Sequence, residues 1–349
     1  MSQWIRPRVV GPVITTFVAP IVALAIVAML SACSPADRAA APVSSAPDAP
    51  PHAAPAAPFI IVLGIAQDGG VPQTGTFDHP AWQDASRRRL VSCLGLVDPA
   101  SGKRWLFDAT PDLPEQLTRL HHAAAPNPSR VPTGIFLTHA HIGHYTGLMF
   151  LGHESMGAKH APVYAAERMH RFLETNGPWD QLVRYENIRL HRLTPGEPVR
   201  FTDELSVTPF LVPHRQEYSE VLGFRIDGPD RSALFIPDID SWDEFDQMGV
   251  RIEDLIADVD VAYLDGTFFG DGEIPGRSMK GFPHPFITTS IARFASLPQI
   301  ERAKIRFIHL NHTNPALDVT SDEAAQVRAA GMHLAQELER FSLGDAAAR

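Results

Sequence analysis

The chain has 349 residues and a formal charge of −10 at pH 7. That balance argues against nucleic acid as a partner, since a polyphosphate would be repelled. Of the two cysteines, Cys33 sits in an N-terminal leader and Cys93 stands alone in the body of the chain, so no disulfide holds the fold.

The leader opens with Arg6 and Arg8 and runs through a largely apolar stretch from Val9 to Leu30, which contains Pro12 and Pro20. It ends Leu30-Ser31-Ala32-Cys33, small residues at a cleavage point after an apolar run. This resembles a bacterial lipobox, in which Cys33 becomes the lipidated first residue of the mature protein. A plain membrane anchor is the alternative, but it gives no reason for a cysteine there. Ser34, where an Asp would signal inner-membrane retention, points to the outer membrane, with the chain facing the periplasm. Residues 34–58 are nearly all Ala, Pro and Ser, too poor in large apolar groups to offset chain entropy, and read as a disordered tether. Residues 59–349 then form one domain, with no second linker and no internal repeat.

Within that domain Phe59 to Ile65 is a continuous apolar run, a buried strand that breaks at Gln67-Asp68-Gly69-Gly70. The glycines serve either a turn or a close backbone approach to a ligand. Leu90 to Val97, which buries Cys93, and Arg104 to Asp108 are the next strands, joined through Asp98-Pro-Ala-Ser-Gly102. Thr110 suits an N-cap, Pro111 the first helical position and Asp112 the first turn of a helix. Thr133 to Thr138 is a strand feeding a loop with His139, His141 and His144, and Tyr145 to Gly152 follows as helix. Further strands are expected at 162–165, 188–193, 205–212, 221–226, 233–236, 259–264 and 304–308. Helices are expected at 166–174, 244–257, 285–294 and 321–338, the last capped by Ser321 and Asp322. Strand after strand ends in a His or an Asp, which suggests two mixed sheets with helices outside and the strand ends converging on one edge.

Those ends define the candidate chemistry. His139 and His141 alternate on a chain leaving a strand, so both imidazoles can face one point, and His214 would complete a three-histidine set for a catalytic zinc. Such an ion makes hydroxide available at neutral pH. His144, Asp238 and His309 would form a second cluster, with Asp238 bridging and orienting the hydroxide or taking its proton. His309 and His312 compete for one role, and His309, directly after its strand, is preferred. The same donors suit iron and manganese, so the expectation is one or two divalent ions, zinc first.

Thr138-His-Ala-His-Ile-Gly-His144, with His214, Asp238 and His309, resembles the metallo-β-lactamase superfamily, and within it pyrroloquinoline quinone biosynthesis protein B and its relatives. Leu63-Gly-Ile-Ala-Gln-Asp-Gly-Gly-Val-Pro-Gln73, Phe107-Asp-Ala-Thr-Pro-Asp-Leu-Pro-Glu-Gln116, Thr146-Gly-Leu148 and Asn311-His-Thr-Asn-Pro315 resemble that family's other motifs. The resemblance implies an α/β fold, a four-layer αββα sandwich with metal at one sheet edge. It also implies a metal-dependent hydrolase acting on a small-molecule ester, phosphodiester or amide, which the leader marks as exported. A redox or cofactor-handling protein and a non-catalytic binding lipoprotein are the alternatives. One position departs: Gly143 stands where the superfamily pattern His-x-His-x-Asp-His has its Asp. Asp68, His284 or a water would fill the gap, with Asp68, His284 and His312 otherwise lying behind the ligands or against substrate. On this reading Gly143→Asp should raise occupancy of the second position.

Overall fold

Phe59–Gly64 (β1) is apolar at every position because both its faces are covered. Ile60 and Val62 enter a core between two sheets, while Phe59, Ile61 and Leu63 turn outward beneath helices. The computed structural model describes residues 57–124 and 129–344. The leader with Cys33, and the tether apart from its last two residues, lie outside them.

The first sheet continues with Cys93–Asp98 (β2), Lys103–Phe107 (β3), Gly134–Phe136 (β4), Ala161–Ala165 (β5) and Ile188–Arg192 (β6). The second holds Val199–Arg200 (β7), Ser206–Leu211 (β8), Leu222–Asp227 (β9), Ser232–Ile236 (β10), Val261–Asp265 (β11), Ile305–Ile308 (β12) and His333–Leu334 (β13). Arg340–Ser342 (β14) returns to the first sheet, giving the orders β14-β1-β2-β3-β4-β5-β6 and β13-β12-β11-β10-β9-β8-β7. From β3 to β6 and from β10 to β13 the strands are parallel; the other pairs are antiparallel. In the first sheet β1, β3 and β4 therefore run one way, and in the second β8, β10, β11 and β12 do. Their C-terminal ends gather at one edge, where open α/β sheets bind ligands.

Aromatic rings lock the sheets together. Phe107 lies 5.5 Å from Phe136 in its own sheet and 5.4 Å and 6.2 Å from Phe224 and Phe235 of the other, by ring centroids. Burying each such ring is worth roughly 1.5–3 kcal/mol. Leu113–Ala123 (α1), Ile142–Tyr145 (α2), Glu167–Thr175 (α3) and Trp179–Arg184 (α4) cover the first sheet. Trp242–Gln247 (α5), Ile252–Ala257 (α6) and Ile287–Phe294 (α7) cover the second, burying Trp242, Phe245, Ile252, Ile256, Ile287 and Phe294. Gln299–Arg302 (α8) and Asp322–Ala329 (α9) complete the helices among the described residues. The result is the expected αββα sandwich. No described helix is long and apolar enough to cross a membrane.

Several local expectations change. The helix expected at 244–257 is two helices, because Gly249 adopts φ +81° between them. The last helix stops at Ala329, where Gly331 at φ +78° turns the chain into edge strand β13. After Tyr145 the backbone tightens to a 3-10 turn over Thr146–Leu151. A Cβ on Gly147 would lie 2.0 Å from the Thr110 carbonyl, so this turn packs backbone to backbone. Asp112, not Thr110, holds the N-cap position of α1 without a side-chain capping bond; its Oδ2 instead accepts the Val91 amide at 2.8 Å, tying the helix start to the segment that leads into β2.

Candidate metal centre

Two histidines in the loop after β4 set the first corner. Leaving the strand extended, the chain turns His139 Nε2 and His141 Nδ1 to within 2.8 Å of each other. His214, just beyond β8, brings its Nε2 to 3.2 Å from His141 Nδ1. Three imidazole nitrogens thus face one point.

The second corner is drawn from the segments after four separate strands, β1, β4, β10 and β12. His144 Nε2 lies 3.1 Å from Asp68 Oδ1 and 2.9 Å from Asp238 Oδ2. His309 Nε2 lies 3.5 Å from Asp68 Oδ1 and 3.4 Å from Asp238 Oδ2. All four atoms are buried, and none has a hydrogen-bond partner of proper geometry. Orphaned charges of this kind are costly to bury. Ligands each about 2.0–2.1 Å from a tetrahedral ion stand roughly 3.3 Å apart, so a divalent cation fits among them. Asp238 joins the corners: its Oδ2 is also 3.8 Å from His139 Nε2, and its Oδ1 is 3.9 Å from His214 Nε2.

Gly143 explains itself here. A Cβ built on it would stand 2.2 Å from Asp68 Oδ1 and 2.5 Å from Asp68 Cα. The carboxylate delivered by the loop after β1 occupies the space that an aspartate at 143 would need. Gly143→Asp is therefore expected to clash with Asp68, not to fill a vacant corner. The neighbouring glycines serve the turn: Gly70 adopts φ +67°, and its amide donates to the Gln67 carbonyl at 2.7 Å.

Every ring also has an oxygen on its far nitrogen. His139 Nδ1 meets Thr138 Oγ1 at 2.9 Å, His141 Nε2 meets Glu217 Oε2 at 3.0 Å, and His144 Nδ1 meets Asp108 Oδ2 at 2.7 Å. His214 Nδ1 meets Asp240 Oδ1 at 2.7 Å and His309 Nδ1 meets Thr267 Oγ1 at 3.0 Å. Such partners fix ring orientation and leave the inward nitrogen as the electron donor. Asp108 also accepts from the Thr138 amide and hydroxyl, at 2.8 and 3.0 Å. Asp108 and His309 hold φ at +71° and +65°, a left-handed backbone rare for residues with a Cβ.

Comparison with known proteins places this arrangement. A family model described as "Beta-lactamase superfamily domain" matches residues 103–309, well over half of the chain. The chain belongs to the beta-lactamase superfamily. Within that superfamily it is similar to the coenzyme PQQ synthesis protein B of Xanthomonas campestris pv. campestris, at 27% identity over 81% of this chain and 99% of the relative. Its fold matches that of zinc-bound PqqB from Methylobacterium extorquens, with a TM-score of 0.66 and 24% identity over 82% of this chain and 100% of the other. A diphosphatase of the PhnP family matches at a TM-score of 0.57 and 21% identity, over 81% and 96% of the two chains.

Electrostatically the two corners of this superfamily member differ. Burial pushes the His139 imidazole well below its usual range, and the neighbouring His144 adds to this; burial also lowers His141. Burial acts on His144 in the same sense but is outweighed by the Asp108 and Asp238 carboxylates, which hold it well above. Burial would raise Asp68 and Asp238, yet the facing histidines keep both carboxyls well below the ordinary range.

His284, at φ +78°, lies behind Asp238: its Nδ1 is 2.7 Å from Asp265 Oδ2 and 3.5 Å from Asp238 Oδ1. Burial opposes its charged form, but Asp265 dominates and lifts the imidazole to about 9. His284 and Asp240 also line a cleft of about 900 Å³ with Trp242, Met279, Lys280 and Phe282. His312 is in none of the donor clusters found among the described residues; its ring stands 6.4 Å from that of His79. Asp108, Asp240 and Asp265 are the site residues that sequence reasoning missed. Their signal was present, since each stands at or just beyond the end of an apolar strand.

Proposed function

We propose that this chain is a metal-dependent hydrolase that acts on a small-molecule ester, phosphodiester or amide through two adjoining ion positions sharing Asp238. The observation that carries the reading is the Asp68 carboxylate in the space opposite Gly143, which supplies the donor that the altered motif lacks. His139, His141 and His214 would hold one divalent ion and Asp68, His144 and His309 the other, with zinc favoured by the nitrogen and oxygen donors. When bound, such ions supply hydroxide at neutral pH and polarise the scissile group. Asp238, kept ionised among the histidines, would orient the attacking oxygen by accepting its hydrogen bond. His284, kept protonated by Asp265 at the wall of the cleft, can donate to the leaving oxygen or hold an anionic group. The test is elemental analysis of the purified full chain, followed by assay on p-nitrophenyl ester, phosphodiester and amide substrates. One to two zinc ions per chain and activity lost in His139→Ala support the reading. A metal-free protein, or unchanged activity in His139→Ala, ends it.

Near full-length similarity to coenzyme PQQ synthesis proteins supports a second reading, a redox or cofactor-handling protein built on the same donors. Metal-dependent oxygen consumption without hydrolysis would select it. We further propose that the protein is anchored by a lipid on Cys33 in the bacterial outer membrane, facing the periplasm, on the strength of the leader sequence. Labelling with radioactive palmitate should then mark the wild type and not Cys33→Ser; a wild type that takes up no label would refute the anchor.

A further inference from the structure

Away from the metal centre, on the outer face of the first sheet, a second cavity of about 330 Å³ opens beneath α1. Its apolar lining is Leu113, Pro114 and Leu117 from α1 with Phe150, Leu151 and Met156, and Thr118, Ser129 and Ser155 add hydroxyl groups. Among the described residues, the charged or titratable groups lining it are Arg104, Arg130 and His121, with no carboxylate, in a chain whose net charge is −10. Arg104 is only 1% exposed. Its Nη2 donates to the Ser129 carbonyl at 2.6 Å, but Nε and Nη1 are buried without a hydrogen-bond partner. The strand accounts for the position. In β3, Trp105 and Phe107 point into the core between the sheets, so Arg104, like Leu106, points to the helix side.

A guanidinium cannot escape this placement by losing its proton, because arginine remains charged in proteins. Buried charges are ordinarily paired, and unpaired buried donors in a native structure call for a missing partner. A cavity of this size, part apolar and part polar with a buried cation in its wall, has the make-up of a small-ligand site. We propose that this cavity binds a small organic carboxylate with an apolar body, its carboxylate accepting from Arg104 and its chain lying between α1 and the Thr146–Leu151 turn. The inference makes no use of the metal centre and stands apart from the hydrolase reading.

The test is calorimetric titration of the full chain with octanoate, with 1-octanol and inorganic phosphate as controls. Saturable one-site binding of octanoate alone is expected. Arg104→Met should weaken it by about ten- to a hundredfold, the worth of one hydrogen bond to a charged group. Leu117→Trp, which keeps Arg104 but fills the cavity, should also remove binding, and it decides the matter if Arg104→Met does not fold. Absence of octanoate binding, or binding unchanged in the variants that fold, would overturn the proposal. So would equal binding of octanol or of phosphate, since one dispenses with the charge and the other with the apolar walls.

Discussion

The two corners of the metal centre are built from different materials. One is three imidazoles, two of them two residues apart on a single loop, with burial keeping His139 and His141 in the neutral form that a ligand needs. The other sets Asp68 against His144 and His309, donors from three distant parts of the chain, with the Asp108 and Asp238 carboxylates lying against His144. The first corner is made of imidazoles alone, two from one loop; the second mixes imidazoles with a carboxylate and is assembled from distant strand ends. A change in a local motif, such as Gly143, therefore says little about whether the second corner is complete.

The largest effect is expected from Asp238→Ala, which takes a donor from both corners at once. Metal affinity should fall by more than about a hundredfold at each position, beyond what loss of a supporting residue costs, measured as zinc retained after dialysis. Next comes Gly143→Asp. Its side chain must displace Asp68, so the variant should be destabilised by about 1–3 kcal/mol in urea unfolding and should lose second-position metal. The exchange Gly143→Asp with Asp68→Gly removes the side-chain overlap but leaves the residue 68 Cα 2.5 Å from the new Cβ, so it should restore only part of that occupancy. A smaller, crossed pair follows. Asp108→Asn should weaken the second position by roughly 10–100-fold and spare the first, while Asp240→Asn should do the reverse, read by competitive zinc titration. His312→Ala, outside both corners, should leave metal content unchanged.

Much of this was legible in the chain. Continuous apolar runs such as Phe59 to Ile65 marked strands buried on both faces, and the His or Asp ending each strand marked the site edge. His139, His141, His144, His214, Asp238 and His309 are brought together as the sequence suggested, and His309 rather than His312 faces Asp68 and Asp238. What escaped was non-local. Nothing in the sequence near Gly143 says that β1 will deliver Asp68 onto it. The orienting roles of Asp108 and Asp240 depend on strand register. Breaks such as Gly249 and Gly331 hide in amphipathic stretches whose helical pattern continues past them.

The central claim is that Asp68 completes a second ion position opposite Gly143. The most direct test is elemental analysis of zinc-loaded wild-type protein beside Asp68→Ala. Two ions per chain in the wild type falling to one in the variant is the result predicted. The same metal content in both proteins would contradict it.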